Sequence, residues 1–217
     1  MTLCHKPQST SMTLTDIHTH HATPTDRAIF NSGTTYLAGR SISIGLHPWN
    51  IGEEWKRVFA SIAAFAKESN VIAIGECGLD MFKSPATPEL QEEIFKAHIK
   101  LAEERQKPLI IHCVKAYDRL LALHKEVKPQ QAWVLHGFRG KPQLAEQLTR
   151  AGIYISLGEK FNPDSAKTIP MEKLFIETDD SRHSITDIYT TVAAAKGITV
   201  EQLAQQVAAN ARIFGQF

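Results

Sequence analysis

Val71-Ile72-Ala73-Ile74-Gly75-Glu76-Cys77-Gly78 is the stretch that decides the fold. Four apolar residues run without alternation, as expected for a parallel strand buried on both faces. A carboxylate stands where the run ends. The same theme recurs along the chain. Leu109-Ile110-Ile111 closes on His112, Ala132-Trp133-Val134-Leu135 on His136, and Leu174-Phe175-Ile176 on Glu177-Thr178-Asp179. Ser41-Ile42-Ser43-Ile44 leads into Gly45-Leu46-His47-Pro48, and Ile153-Tyr154-Ile155 into Ser156. Helical segments separate these runs. Trp55, Phe59, Ile62 and Phe65 give residues 53–69 an apolar stripe, and Leu90, Ile94, Ala97 and Leu101 do so in a helix opened by Pro88. Residues 116–127, 141–150, 185–195 and 200–214 also read as helices.

The first strand is Asp16-Ile17-His18-Thr19-His20. In extended backbone residues i and i+2 share a face, so His18 and His20 project together and His21 points away. Residues 23–40 show no helical period and read as a hairpin or irregular loop. From residue 41 strands and helices alternate, which implies parallel βαβ units. Seven strands are legible and an eighth has room within residues 27–38. The expectation is an α/β, TIM-like (β/α) barrel of seven or eight strands, with the βα unit after the first strand shortened. Active sites of such barrels lie at the C-terminal strand ends, where these histidines and carboxylates sit.

The 217 residues fit one barrel domain over 13–217, with a disordered tail expected over 1–12. Net charge is +1, without the basic excess of a protein that grips long duplex DNA. No run approaches the ~20 apolar residues of a membrane span, and residues 1–11 lack the apolar core of a signal peptide. Three cysteines, an odd count, suit a reducing cytoplasm. A cytoplasmic monomer that does not enter membranes is expected. Cys77 and Cys113 each follow a candidate ligand and so face outward, as small buried hydrophobes. There is no phosphate-binding loop, no nucleophile elbow and no internal repeat.

His18, His20, Glu76, His112, His136 and Asp179 are the candidate metal ligands. Any one strand-end histidine is more often structural, and Asp179 alone could cap a helix. Jointly they exceed what one four-coordinate ion with an open position needs. They suit two divalent cations, Mg, Mn or Zn, sharing a carboxylate, an arrangement used in hydrolysis. His98 and His124 lie along helical apolar stripes and read as structural.

Asp16-Ile17-His18-Thr19-His20, Gly45-Leu46-His47-Pro48, Gly75-Glu76-Cys77-Gly78-Leu79-Asp80, His112 with Lys115, His136-Gly137-Phe138-Arg139-Gly140 and Glu177-Thr178-Asp179 appear in an order that resembles the TatD-family metal-dependent deoxyribonucleases, within the amidohydrolase-like barrels. The resemblance implies that His18, His20, Glu76 and Asp179 hold one metal, and that Glu76 bridges to a second held by His112 and His136. It implies hydrolysis of phosphodiester bonds from DNA 3′ ends, with Asp179 as general base and Glu76 as its catalytic partner. His47, Lys115 and Arg139 are candidate phosphate contacts. The alternatives are a turn-fixing role for His47 and solvated charge for the other two. Trp49 could stack a base or pack on the rim, and Asp80 could support a ligand or cap a loop. The interval after the first strand and the loop after Asp179 are shorter than is usual in the family. Two other readings therefore stay open: a small-molecule amidohydrolase or phosphoesterase, and a catalytically silent metal-binding partner protein.

Overall fold

A computed structural model describes residues 13–21 and 27–215. The tail expected over 1–12 lies outside them. Eight parallel strands form one sheet in sequence order: β1 (Asp16–Thr19), β2 (Ala28–Asn31), β3 (Ile42–Ile44), β4 (Val71–Asp80), β5 (Leu109–Val114), β6 (Trp133–Leu135), β7 (Tyr154–Leu157) and β8 (Leu174–Ile176). The sheet curls until its ends meet. Thr19 bridges Asp179, with His20 N donating to Asp179 O at 3.0 Å and Asp179 N to His18 O at 2.9 Å. The result is a nearly closed barrel with helices outside it.

The helices are α1 (Trp55–Phe65), α2 (Pro88–Arg105), α3 (Tyr117–Val127), α4 (Pro142–Arg150), α5 (Pro163–Thr168), α6 (Ile185–Lys196) and α7 (Val200–Asn210). Their ends follow local chemistry. The Thr87 hydroxyl accepts from Leu90 N ahead of Pro88, and Ser184 with Asp187 and Thr199 with Gln202 form capping boxes. The short α5 carries too little periodicity to be read from sequence.

Two expectations need adjusting. Within residues 27–40 there is no hairpin: the eighth strand for which 27–38 had room is β2, a parallel strand pairing Phe30 with Ile42 and Asn31 with Ser43. The trimmed unit has thus kept its strand, and no helix occurs among the described residues between β1 and β3. Second, β4 does not stop at Ile74 but runs to Asp80, with a register irregularity between Ile74 and Cys77. Gly75 and Gly78 permit this. A Cβ on Gly75 would stand 2.4 Å from Ile110 O, and one on Gly78 2.0 Å from His112 O, and both glycines have positive φ. The backbone of β4 can therefore close on β5 while Glu76 turns into the barrel mouth.

Buried polar pairs fix the strand ends. Asp16, 2% exposed, accepts Thr178 N at 3.0 Å and Thr178 Oγ1 at 2.6 Å, tying β1 to the end of β8. Burial raises its carboxyl to about 6, against the opposing effect of those donors. His98 on α2 is fully buried. Its Nε2 accepts from Leu46 N at 3.0 Å and its Nδ1 donates to Ile94 O at 2.8 Å, so the end of β3 rests on a neutral imidazole.

Burial lowers the His98 pKa to about 4. Its native value lies below the unfolded one of about 6.5, so the unfolded chain takes up the proton first. The stabilisation is complete above about pH 6.5, is lost progressively as pH falls toward 4, and amounts to about 3 kcal/mol. Urea titrations should show that stability falls by that much more in the wild type than in His98→Gln between pH 7 and pH 4. Parallel pH profiles would contradict it.

Candidate metal centre

All six candidate ligands meet at the C-terminal mouth of the barrel. Glu76, 5% exposed, is their centre. One oxygen, Oε1, faces His136 Nε2 at 2.7 Å, His47 Nε2 at 3.0 Å and His112 Nδ1 at 3.1 Å. The other, Oε2, faces His18 Nε2 at 3.4 Å and His20 Nε2 at 3.8 Å, and accepts from Asn31 Nδ2 at 2.9 Å. Asp179 Oδ1 stands 3.6 Å from His18 Nε2 and 3.5 Å from His20 Nε2. Among the described residues, three overlapping groups have donor atoms within 4.8 Å of one another: His18, His20 and Asp179; His18, Glu76 and His136; His47, Glu76 and His112.

His47 thus belongs inside the cluster, where the sequence reading set it among the substrate contacts. Its Nδ1 also accepts from Trp49 N at 3.0 Å, so the turn-fixing role holds at the same time. Lys115 and Arg139 are exposed at the rim. Arg139 lines a cleft with Glu177, Asp179 and Asp180. His21 stays out of the cluster, its Nε2 2.6 Å from Ser181 O.

Further carboxylates orient the imidazoles. Asp80, 1% exposed, holds His112 Nε2 at 2.9 Å and accepts from Trp49 Nε1 at 2.6 Å through Oδ2. Its Oδ1 accepts from Phe82 N and Lys83 N, both at 2.8 Å, so it both supports a ligand and caps a loop. Glu177 is fully buried behind His136, with Oε1 3.5 Å from His136 Nδ1 and accepting from Gly137 N at 2.6 Å. Carboxylates behind histidines fix ring orientation and raise donor strength. Sequence reasoning missed Glu177, although the i, i+2 rule that paired His18 with His20 also pairs it with Asp179. Asn31 carried no signal, because the strand with room in 27–38 had no readable bounds to mark its end.

The electrostatics fit a cation. Burial alone would raise the Glu76 carboxyl, yet His136 and the other imidazoles hold it well below the usual carboxylate range. Burial likewise opposes charge on His18, but Asp179 and Glu76 hold it up to about 9. Asp179 is held down to about 2: burial opposes ionisation, and His18 and His136 outweigh it. His18 is fully buried with neither ring nitrogen hydrogen-bonded. Two carboxylates facing an unpartnered buried imidazole call for positive charge between them. Imidazole and carboxylate donors suit a divalent metal there.

These features define the class: a metal-dependent hydrolase barrel. The family described as TatD related DNase matches residues 15–215. The chain belongs to that family. An Escherichia coli K12 protein named as the uncharacterized metal-dependent hydrolase YcfH is 32% identical, over 79% of this chain and 72% of its own length. The 3'-5' ssDNA/RNA exonuclease TatD of Erwinia amylovora is 31% identical, over 79% of this chain and 76% of its own. Among solved structures, the TatD homologue YJJV of Escherichia coli K12 superposes with a TM-score of 0.72 at 22% identity, covering 80% of this chain and 75% of that one. A TatD-family hydrolase from Entamoeba histolytica gives 0.67 at 19% identity, covering 87% and 74%.

Protons and cations compete for these nitrogens, so binding must release protons. Uptake of Mn²⁺ or Zn²⁺ should strengthen by at least about tenfold per pH unit from pH 6 toward the region of 9 set by His18. Calorimetry in buffers of different ionisation enthalpy reads the proton release. Affinity independent of pH would contradict the assignment.

Proposed function

We propose that the chain is a two-cation phosphodiesterase that removes nucleotides from the 3′ ends of DNA. The observation that carries this reading is the division of Glu76, with one oxygen toward His47, His112 and His136 and the other toward His18 and His20. A carboxylate so placed suits two ions. His18, His20, Glu76 and Asp179 would hold one, and Glu76, His112 and His136, joined by His47, the other. When bound, the ions lower the pKa of a water and stabilise charge on the phosphoryl oxygens.

The chain's own residues do the rest. Asp179, with 24% of its side chain exposed, is the more accessible carboxylate of the two, Glu76 showing 6%. It orients the attacking water and takes its proton. It is ionised across the working range, because His18 and His136 hold its carboxyl down to about 2 against the opposing effect of burial. Lys115 and Arg139 meet the phosphates at the rim. The names of the TatD relatives support a nucleic-acid substrate. Among the described residues no helix is long and apolar enough to cross a membrane. The reading includes a monomer in a reducing cytoplasm, in keeping with the free, buried Cys77 and Cys113.

Short single-stranded DNA with a labelled 3′ end should be degraded with Mg²⁺ or Mn²⁺ and spared with chelator. Asp179→Asn should lower kcat by about 10²-fold or more while most of the bound metal remains. Intact DNA, together with chelator-sensitive turnover of an amide, lactone or phosphomonoester, would overturn the proposal.

A further inference from the structure

Next to the metal centre lies an apolar lip that the chemistry above does not use. Six large hydrophobic side chains are exposed among the described residues, and three of them are joined through Asp80: Trp49 at 44%, whose Nε1 it accepts, and Met81 at 36% and Phe82 at 65%, which directly follow it. Scattered apolar side chains on a surface need no explanation, but a cluster at the mouth of an active site marks a contact surface. Trp49 packs edge-on against His47 at 4.7 Å and His112 at 5.7 Å between ring centroids, so it borders the Glu76 cluster directly.

Two cations belong to the same lip. Lys83 Nζ lies 4.5 Å from the centroid of the Trp49 ring and Lys115 Nζ 4.7 Å from that of Phe82. Neither lysine is ion-paired with a carboxylate among the described residues. Asp80 also anchors the lip. The single carboxylate of Asp80 takes Trp49 Nε1, His112 Nε2, Phe82 N and Lys83 N. It therefore fixes the Trp49 ring, and the backbone that carries Phe82 and Lys83, relative to the imidazole that faces Glu76. Met81 and Lys115 also line an adjoining groove of about 620 Å³, to which Glu89, Glu92 and Asp118 bring acidic side chains.

We propose that this lip seats unpaired nucleobases adjacent to the bond being cut, stacked on Trp49 and Phe82, with Lys83 and Lys115 on the neighbouring phosphates. The proposal rests on the nuclease reading above and adds which face of the mouth receives the strand. Aromatic faces beside cations that no carboxylate neutralises are the chemistry of single-strand binding, since every base offers a π-face and every linkage a negative charge. A paired base has its faces covered by its neighbours, so the lip selects single strands. Aliphatic amides and simple phosphomonoesters would gain nothing from it.

The test compares a short oligothymidylate with an abasic strand of the same length and backbone, both cut by the metal-loaded enzyme. Wild type should show a KM at least about tenfold lower for the strand with bases, and Phe82→Ala should shrink that ratio about fivefold. The Phe82 ring is mostly in solvent, so its removal leaves the fold in place. The double variant Lys83→Gln, Lys115→Gln should reduce the slope of log KM against log salt by about 1.4. Equal KM values for the two strands in wild type, or a ratio unchanged in Phe82→Ala, would overturn the lip while leaving the nuclease reading intact. If wild type cuts neither strand, the nuclease reading fails. The lip is then judged by fluorescence anisotropy of the labelled oligothymidylate on the same metal-loaded protein. About fivefold weaker binding by Phe82→Ala supports it, and equal or absent binding overturns it.

Discussion

A buried carboxylate ringed by imidazoles governs this structure. Glu76 is almost wholly removed from water, and five histidines approach its two oxygens. An ionised carboxylate in such a place is tolerable only if positive charge lies beside it. Protons on the imidazoles can supply that charge, and so can divalent cations, which the histidines then serve as neutral donors. The barrel builds the need for a cation into its mouth.

The surrounding protein holds that arrangement in place. Glu177 and Asp80 stand behind His136 and His112. Gln91 on α2, 1% exposed, accepts from Asp80 N at 2.8 Å, and His98 on the same helix holds Leu46, one residue before His47. Asp16 and Thr178 bind the first strand to the last, which puts His18 and His20 opposite Asp179. Each contact joins residues distant in the chain, so the site can be no more ordered than the closure of the barrel. Precise placement matters because donors a fraction of an ångström out of position bind and react poorly.

Much of this was legible in the sequence because burial on both faces leaves a plain mark. The apolar runs before Glu76, His112 and His136 announced parallel strands, and the residues closing those runs announced the site. What stayed hidden had specific causes. Strand β2 is short and alternates half-buried with buried residues, and no helix follows it before β3, so Ala28-Ile29-Phe30 lacked the strand–helix alternation that marked its neighbours and Asn31 was not singled out. The extension of β4 past Gly75 depends on the close approach of β5, which local sequence does not carry. His47 gave an ambiguous signal because it does two jobs, one at a turn and one at Glu76. Asp80 was ambiguous for the same reason.

The most direct measurement is anomalous diffraction from crystals grown with Mn²⁺. Two peaks are expected, one on each side of the Glu76 carboxylate. One should lie among His18, His20 and Asp179, the other among His47, His112 and His136. No peak at Glu76, or metal bound only elsewhere on the protein, would contradict the account.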